Sequence, residues 1–185
     1  LNITGFGFGR PIYGPFNRQL SNSQLFAVAD LNQPRGHRLK NGKFIPVGLK
    51  ARGDNPMVMA PAGGLNMTLS GISKFLIDSL DGIRSEGGVL HPNSYQGMHQ
   101  PRDSAGDYGA GWTIRDGIHF HNGTNIYWFS EMYLYPKFDI GLSIVLNHGH
   151  QKTATKLVDD LLVSLLSKIS IHIGRRLPLP TYKEF

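Results

Sequence analysis

The hydrophobic period of this sequence changes once, and that change limits the folds it can adopt. Four segments rich in aromatic and β-branched residues, separated by turn residues, are typical of antiparallel strands. They are predicted at 108–114, 117–121, 127–135 and 139–147. Apolar residues then recur on one helical face over 154–169. A helix of this kind must bury its stripe, so the sequence predicts an α+β fold in which an antiparallel sheet is closed by a C-terminal helix.

Upstream of the sheet, the pattern predicts two helices and one hairpin. Apolar residues at helical spacing over 72–83 follow Thr68 and Ser70, either of which can cap the helix. Pro92 suits the first residue of a second helix that ends near His99. Asn41-Gly42 predicts a tight turn between strands at 37–40 and 43–47.

These elements divide the chain into four segments. Residues 1–68 are predicted as a loop-rich segment with a small hairpin, and residues 69–104 as a helical segment. Residues 105–170 hold the antiparallel sheet and the closing helix, and residues 171–185 form a tail. The glycines and prolines of residues 1–36 follow neither a helical nor a strand period, so that stretch is predicted as loop.

Composition excludes several classes of function. The net charge of +6 and the pI near 9.7 would suit nucleic acid if the basic residues clustered, but they are dispersed along the chain, so no nucleic-acid partner is expected. The chain has no cysteine, which excludes disulfides and thiolate chemistry. No apolar run approaches the roughly 20 residues of a membrane helix. The chain begins with leucine rather than methionine, so we expect a processed chain or a piece of a longer one.

Two searches for chemistry in the residues leave the function open. His119 and His121 share one side of a predicted strand, and His148 and His150 repeat that spacing, which keeps a zinc site as an alternative. No carboxylate adjoins either pair, and we expect no metal or other cofactor. The sequence contains no Ser-x-x-Lys, Tyr-x-Asn or Gly-x-Ser-x-Gly. Taken alone, the residues indicate a binding or structural domain.

Several short motifs, in order, resemble one family. They are Pro61-Ala62-Gly63-Gly64-Leu65 before a helix, Gly88-Val89-Leu90-His91-Pro92, Met98-His99-Gln100-Pro101 and Tyr108-Gly109-Ala110-Gly111-Trp112. His121-Asn122-Gly123-Thr124-Asn125, predicted as a turn between strands, is followed by Trp128 and then by Tyr135-Pro136-Lys137-Phe138-Asp139. Over residues 1–168 the pattern is similar to the C-terminal part of the β-lactamase-like serine hydrolases: class C β-lactamases, D-alanyl-D-alanine carboxypeptidases and related esterases. Arg35-Gly36-His37 looks like the Trp-Gly-His element of one branch.

The resemblance implies a β-lactamase/penicillin-binding-protein-like fold, incomplete at its N-terminal side, and a role in acyl transfer to water on an ester, amide or lactam. It identifies residues 121–123 with the family's third motif, Lys or His, then Ser or Thr, then Gly, although Asn122 departs from it. By resemblance, the Thr124 amide would donate to the oxyanion, His121, Asn122 and Gly123 would line the cleft, and Asn125 and Trp128 would contact substrate. The serine, its lysine and the tyrosine lie upstream in the family, so this chain alone is expected to be inactive.

The resemblance also implies partners and a location. A small-molecule acyl substrate is expected, together with the missing N-terminal half or another copy of the chain to complete the sheet. Relatives of this kind work in the periplasm or outside the cell. The alternative is a non-catalytic binding or structural module with the same fold.

Overall fold

The computed structural model of the chain describes residue 3 and residues 6–8, 34–47, 55, 57–102 and 106–180. Within them, a small sheet pairs β1 (Phe6–Phe8) with β4 (Leu65–Met67), and a hairpin pairs β2 (His37–Lys40) with β3 (Lys43–Pro46). The helices are α1 (Ala60–Gly63), α2 (Leu69–Arg84), α3 (Pro92–Met98) and α4 (Gln151–Ile173). The main sheet consists of β5 (Thr113–Arg115), β6 (Ile118–Thr124), β7 (Phe129–Tyr135) and β8 (Ile140–Leu146).

The main sheet is a four-stranded antiparallel meander in which each strand pairs with the next along the chain. Asp116 and Gly117 both have positive φ, which produces the primed turn that a two-residue hairpin between β5 and β6 requires. A single 3₁₀ turn, Pro136–Phe138, joins β7 to β8, and Asp139 completes it in the left-handed conformation. The prediction of an α+β fold with an antiparallel sheet and a C-terminal helix is confirmed.

Two apolar cores lie on opposite faces of this sheet, because side chains alternate along each strand. On one face, α4 contributes Ala154, Val158, Leu162 and Leu166, all nearly inaccessible, to a core that includes Tyr133 of β7. On the other face, α2 packs its own apolar stripe against the sheet, together with Trp112 and Leu134. The sheet is therefore enclosed between the C-terminal helix and the helical segment that precedes it.

The caps of α2 follow the sequence prediction. The Thr68 hydroxyl accepts a hydrogen bond from the Gly71 amide, so Thr68 is the N-cap. The helix ends at Ser85 in the left-handed conformation, and Arg84 forms ion pairs with Asp81 and Asp139. The second predicted helix is α3, which begins at Pro92 as expected and ends at Met98.

Several boundaries differ from the prediction. Residues 121–124 were predicted to belong to a turn, but the hydrogen-bonded ladder between β6 and β7 continues through Thr124, so the turn is at 125–128. The predicted loop at 1–36 contains β1, whose partner β4 lies just before α2. Most of the predicted loop lies outside the described residues. Residues 174–180 of the predicted tail have no regular structure, yet Leu177 returns to the α4 core, and residues 181–185 lie outside the described residues. No helix among the described residues has the length and apolarity needed to span a bilayer.

The two faces of α4 allow a matched test of the core. We expect Leu162→Ala to lower the free energy of unfolding by about 2–5 kcal/mol, because the cavity it leaves lies under the sheet. Leu161 is 40% exposed, so Leu161→Ala should cost well under half as much. Urea unfolding of both variants checks this. Equal losses would show that α4 packs differently from the arrangement described.

Candidate functional site

The site begins with a mismatch in length between two neighbouring strands. β5 has three residues and pairs with Ile118–Phe120 of β6, whereas β6 continues for four more residues, His121 to Thr124. Among the described residues no strand pairs with this continuation on the β5 side. Residues 121–124 of the predicted motif therefore lie in a part of β6 that pairs with β7 on one side. On its other side, the open edge of β6, no strand of the described residues pairs with it.

Backbone alternation decides which amides lie on that open edge. The Asn125 N–H donates to the Trp128 carbonyl across the β6–β7 turn, so Asn125 faces β7. Every second residue back along β6, beginning with Gly123, shares that direction, and the residues between them point the opposite way. The Ile114 N–H donates to Asp107, away from β6, which fixes the same alternation from the β5 side. The N–H of Thr124 consequently points out of the sheet at the open edge, as does that of Asn122.

Side chains along this edge divide between the two faces. His121 and Gly123 lie on the face that carries α2, whereas Asn122 and Thr124 lie on the α4 face. A Cβ built on Gly123 would meet no atom within 4 Å, so the backbone there is open to an approaching molecule. Burial lowers the pKa of His121, whose ring lies 6.5 Å from that of Tyr108. His121 is thus a neutral hydrogen-bonding group near pH 7 and not a cation.

The turn after β6 is held by its own hydrogen bonds. Thr124 Oγ1 donates to the Trp128 carbonyl at 2.9 Å and lies 3.3 Å from the Gly149 carbonyl, while Ile126 takes the left-handed conformation with φ of 77°. Asn125 Oδ1 is buried and has no hydrogen-bond partner among the described residues. Of the two residues predicted to contact substrate, Asn125 is therefore the one whose side-chain oxygen has no hydrogen-bond partner among the described residues. Trp128 instead packs edge-to-face on Tyr127.

Two glycines from distant parts of the chain close around this turn. A Cβ on Gly36 would lie 2.7 Å from Tyr127 Cβ, and one on Gly149 would lie 2.7 Å from Thr124 Oγ1 and meet the Ile126 backbone. His37 links the two sides, since its Nδ1 lies 3.0 Å from the Asn147 carbonyl. The Arg35-Gly36-His37 element is recognisable in the sequence. Its contact with the 125–128 turn is not, because no local sequence signal indicates where the β2–β3 hairpin packs.

The four histidines considered for zinc do not converge. His119 is buried against His99. His150 is the N-cap residue of α4, and its Nδ1 lies 2.8 Å from Thr153 Oγ1. His148 is buried with its ring 4.3 Å from that of Phe44, and burial together with His150 and His37 lowers its pKa. Among the described residues no group of three or more His, Cys, Asp or Glu side chains is placed to hold a metal ion. The contact of His99 with His119 was not expected from the sequence, which places them on different elements.

Comparison with known proteins adds no relative. Neither family models nor curated proteins give a match to this chain. The assignment of a function therefore depends on the geometry of the β6 edge and on the resemblance of the motifs.

The orientation of the Thr124 amide can be tested by hydrogen exchange. We expect the Thr124 N–H to exchange at least about tenfold faster than the Gly123 N–H, because only the latter lies in the ladder with β7. Amide exchange followed by NMR measures both in one sample. Equal protection of the two amides would place a partner on the open edge and contradict the arrangement.

Proposed function

We propose that this chain is the C-terminal part of a serine hydrolase with the β-lactamase-like fold, and that it supplies the oxyanion side of the active site. The observation that carries the proposal is the outward N–H of Thr124, on an edge of β6 with which no strand of the described residues pairs. An amide fixed in a strand and open on one side is a suitable donor to a carbonyl oxygen that gains negative charge. It needs no reorganisation when that charge develops.

The surroundings of this amide support the proposal. Gly123 leaves the approach to the strand free of side-chain atoms. His121, half-buried and neutral, borders the approach from the α2 face and has hydrogen-bonding nitrogens to offer the polar end of a substrate. The buried Asn125 Oδ1, which lacks a partner among the described residues, adds an acceptor next to Thr124 along the chain. The carbonyl oxygen shared by a small ester, amide or lactam is the acceptor that the Thr124 N–H requires.

The proposed chemistry divides between this chain and the residues that bear the nucleophile. The serine oxygen attacks the acyl carbonyl carbon, and the carbonyl π electrons move onto oxygen. The Thr124 N–H and the amide of the serine itself then donate to that oxyanion. Collapse of the intermediate expels the leaving group, and water later hydrolyses the acyl-enzyme. Loss of one such donor typically lowers the rate by about 10²–10³.

The same proposal names a partner for the sheet. Along β8 the odd-numbered residues, among them Ser143 and Val145, direct their N–H and C=O groups away from β7, and no strand among the described residues pairs with them. β8 is seven residues long and contains neither charge nor proline, so it lacks the features that usually protect an edge. We propose that the N-terminal half of the enzyme, or another copy of the chain, pairs there. A periplasmic or extracellular location is part of the same proposal.

A non-catalytic module of the same fold is the second candidate. The observation that favours it is the absence of Ser-x-x-Lys and Tyr-x-Asn from the 185 residues. The residues encoded upstream of Leu1 decide between the two, since a Ser-x-x-Lys followed by Tyr-x-Asn there would supply the nucleophile and its base.

Thr124→Pro is the sharpest test of the catalytic proposal, because proline removes the backbone donor itself. Proline is tolerated where the N–H points out of the sheet, so the fold should persist. In the protein extended to include the upstream residues, we expect kcat for p-nitrophenyl ester hydrolysis to fall by about 10²–10³. Thr124→Ala, which keeps the amide, is the control and should retain most of the rate. The 185-residue chain alone serves as the inactive reference.

Three outcomes would contradict the catalytic proposal. They are an extended protein that does not turn over esters, amides or lactams, equal rates in Thr124→Pro and wild type, and turnover by the 185-residue chain alone. Circular dichroism of the two variants separates loss of the donor from loss of the fold.

The open β8 edge predicts association of the chain. We expect the wild-type chain to exceed its monomer mass of 20.5 kDa in light scattering at micromolar concentration. Val145→Lys places a charge on this edge strand and should shift the chain toward monomer. Val163→Lys, at an exposed position on α4, is the control and should not. A monomeric wild-type chain with cooperative thermal unfolding would contradict the proposed partner.

A further inference from the structure

We propose that the buried pair of His99 and His119 is an acid-sensitive latch, which holds the segment around Trp112 against β6 at neutral pH and releases it on acidification. The pair joins the C-terminal end of α3 to the middle of β6, across 20 residues of sequence. It is independent of the proposed hydrolase activity, since it depends only on the packing of these two rings.

The geometry of the pair is that of a single shared proton. The two Nδ1 atoms lie 2.9 Å apart, the rings are stacked with centroids 5.0 Å apart, and both side chains are buried. One Nδ1 must therefore donate and the other accept. His99 Nε2 is buried without a partner among the described residues, which favours His99 as the Nδ1 donor because a bare nitrogen costs less there than an unpaired N–H.

A second proton has two places to enter this pair. On His99 Nε2 it keeps the hydrogen bond between the two Nδ1 atoms, but it creates a buried charge and a buried N–H that has no partner among the described residues. On His119 Nδ1 it breaks the hydrogen bond. Protonation of both Nδ1 atoms would set two N–H groups against each other at hydrogen-bond distance. The pKa of each histidine is lowered from 6.5 to about 4, by burial in both cases and for His99 also by the charge of His119. The closed pair therefore binds fewer protons than the open one, so the contact is fully present above pH 6.5 and is lost as the pH falls toward 4.

The elements packed around the pair offer it no compensating charge. Ile114 of β5 and Leu134 of β7 stand opposite His119 in the sheet, and Trp112 lies 5.2 Å from His99, ring to ring. His121 of the same strand shares this face of the sheet, and the Tyr108 ring lies 6.5 Å from the His121 ring. No carboxylate of the described residues contributes to either pKa. An imidazolium formed here must leave the interior to be solvated.

The segment that the pair secures also makes backbone hydrogen bonds within itself and to the end of α3, none of which involves a histidine. The Ala110 N–H donates to the Met98 carbonyl and the Gly109 N–H to the Trp112 carbonyl, while Asp107 pairs with Arg115. Its Tyr108 ring faces His121 at the open end of β6. Release of the latch would expose Trp112 and uncover His121, which couples acidification to the face of β6 that borders the candidate site.

Hydrogen exchange as a function of pH tests the latch on the whole chain. The exchange rates are first corrected for the intrinsic pH dependence of exchange. Between pH 6.5 and 4, the opening constant of residues 106–114 should then rise about tenfold per pH unit for each proton taken up. The β7–β8 ladder should keep its protection over the same range. Loss of protection in the whole sheet at once, or no change in residues 106–114, would overturn the proposal.

Two variants isolate the pair. His99→Phe keeps a ring in the site but removes one of the two groups that take up a proton, so the pH-dependent opening of residues 106–114 should become shallower than in the wild type. His172→Asn removes an exposed histidine from the last turn of α4 and should behave as wild type. A His99→Phe chain that retains the full pH dependence contradicts the latch.

The wild-type histidines give a measurement that needs no substitution. NMR titration of the imidazole Cε1–H resonances should show two rings with apparent pKa values near 4. An ordinary pKa near 6.5 for both rings would overturn the proposal. A shift of the His99 and His119 resonances on addition of micromolar zinc chloride would also overturn the proposal. Such a shift would show that the two Nδ1 atoms face each other as metal ligands and not as a hydrogen-bonded pair.

Discussion

The register of β6 against β7 is the constraint on which the candidate site depends. The ladder continues to Thr124, beyond the last residue that β5 reaches, and so one edge of β6 is paired while the other is open. Because pairing alternates along the strand, a shift of one residue would turn the Thr124 amide into the sheet and direct that of Gly123 outward. Core residues fix the register, since Phe120 faces Tyr133 in the α4 core while His119 lies opposite Leu134 on the other face.

The turn at 125–128 is held by contacts with residues that lie outside the main sheet. Gly36 and Gly149 approach it from two loops, and each position leaves no room for a side chain. The left-handed Ile126 is an unfavourable conformation for a β-branched residue, and the surrounding contacts hold it there. Packing of the β2–β3 hairpin and of the segment before α4 therefore sets where β6 ends, so residues far apart in sequence determine the position of one amide.

Sequence patterns predicted the periodic parts of this fold and missed the contacts between distant residues. The stripe of α4, the Thr68 cap and the Asn41-Gly42 hairpin follow from local rules, and the structure contains each of them. Residues 121–124 were assigned to a turn between strands, yet cross-strand pairing with β7 continues through Thr124. The shared face of His119 and His121 was predictable from alternation. The partner of His119 was not, because His99 reaches it only after α3 has packed.

The two buried faces of the sheet serve different purposes in this arrangement. The α4 face carries the larger apolar core, in which Val158 and Leu162 are inaccessible, and it stabilises the register. The side chain of Glu131 is buried on this face as well. The α2 face places an uncharged polar pair, His99 and His119, in an apolar setting next to Trp112, where a hydrocarbon contact would be cheaper. Such a pair contributes little net stability at neutral pH and costs much when protonated. His119 lies two residues from His121 on the same face of β6. Protonation of the buried pair therefore acts on the strand that carries the candidate site.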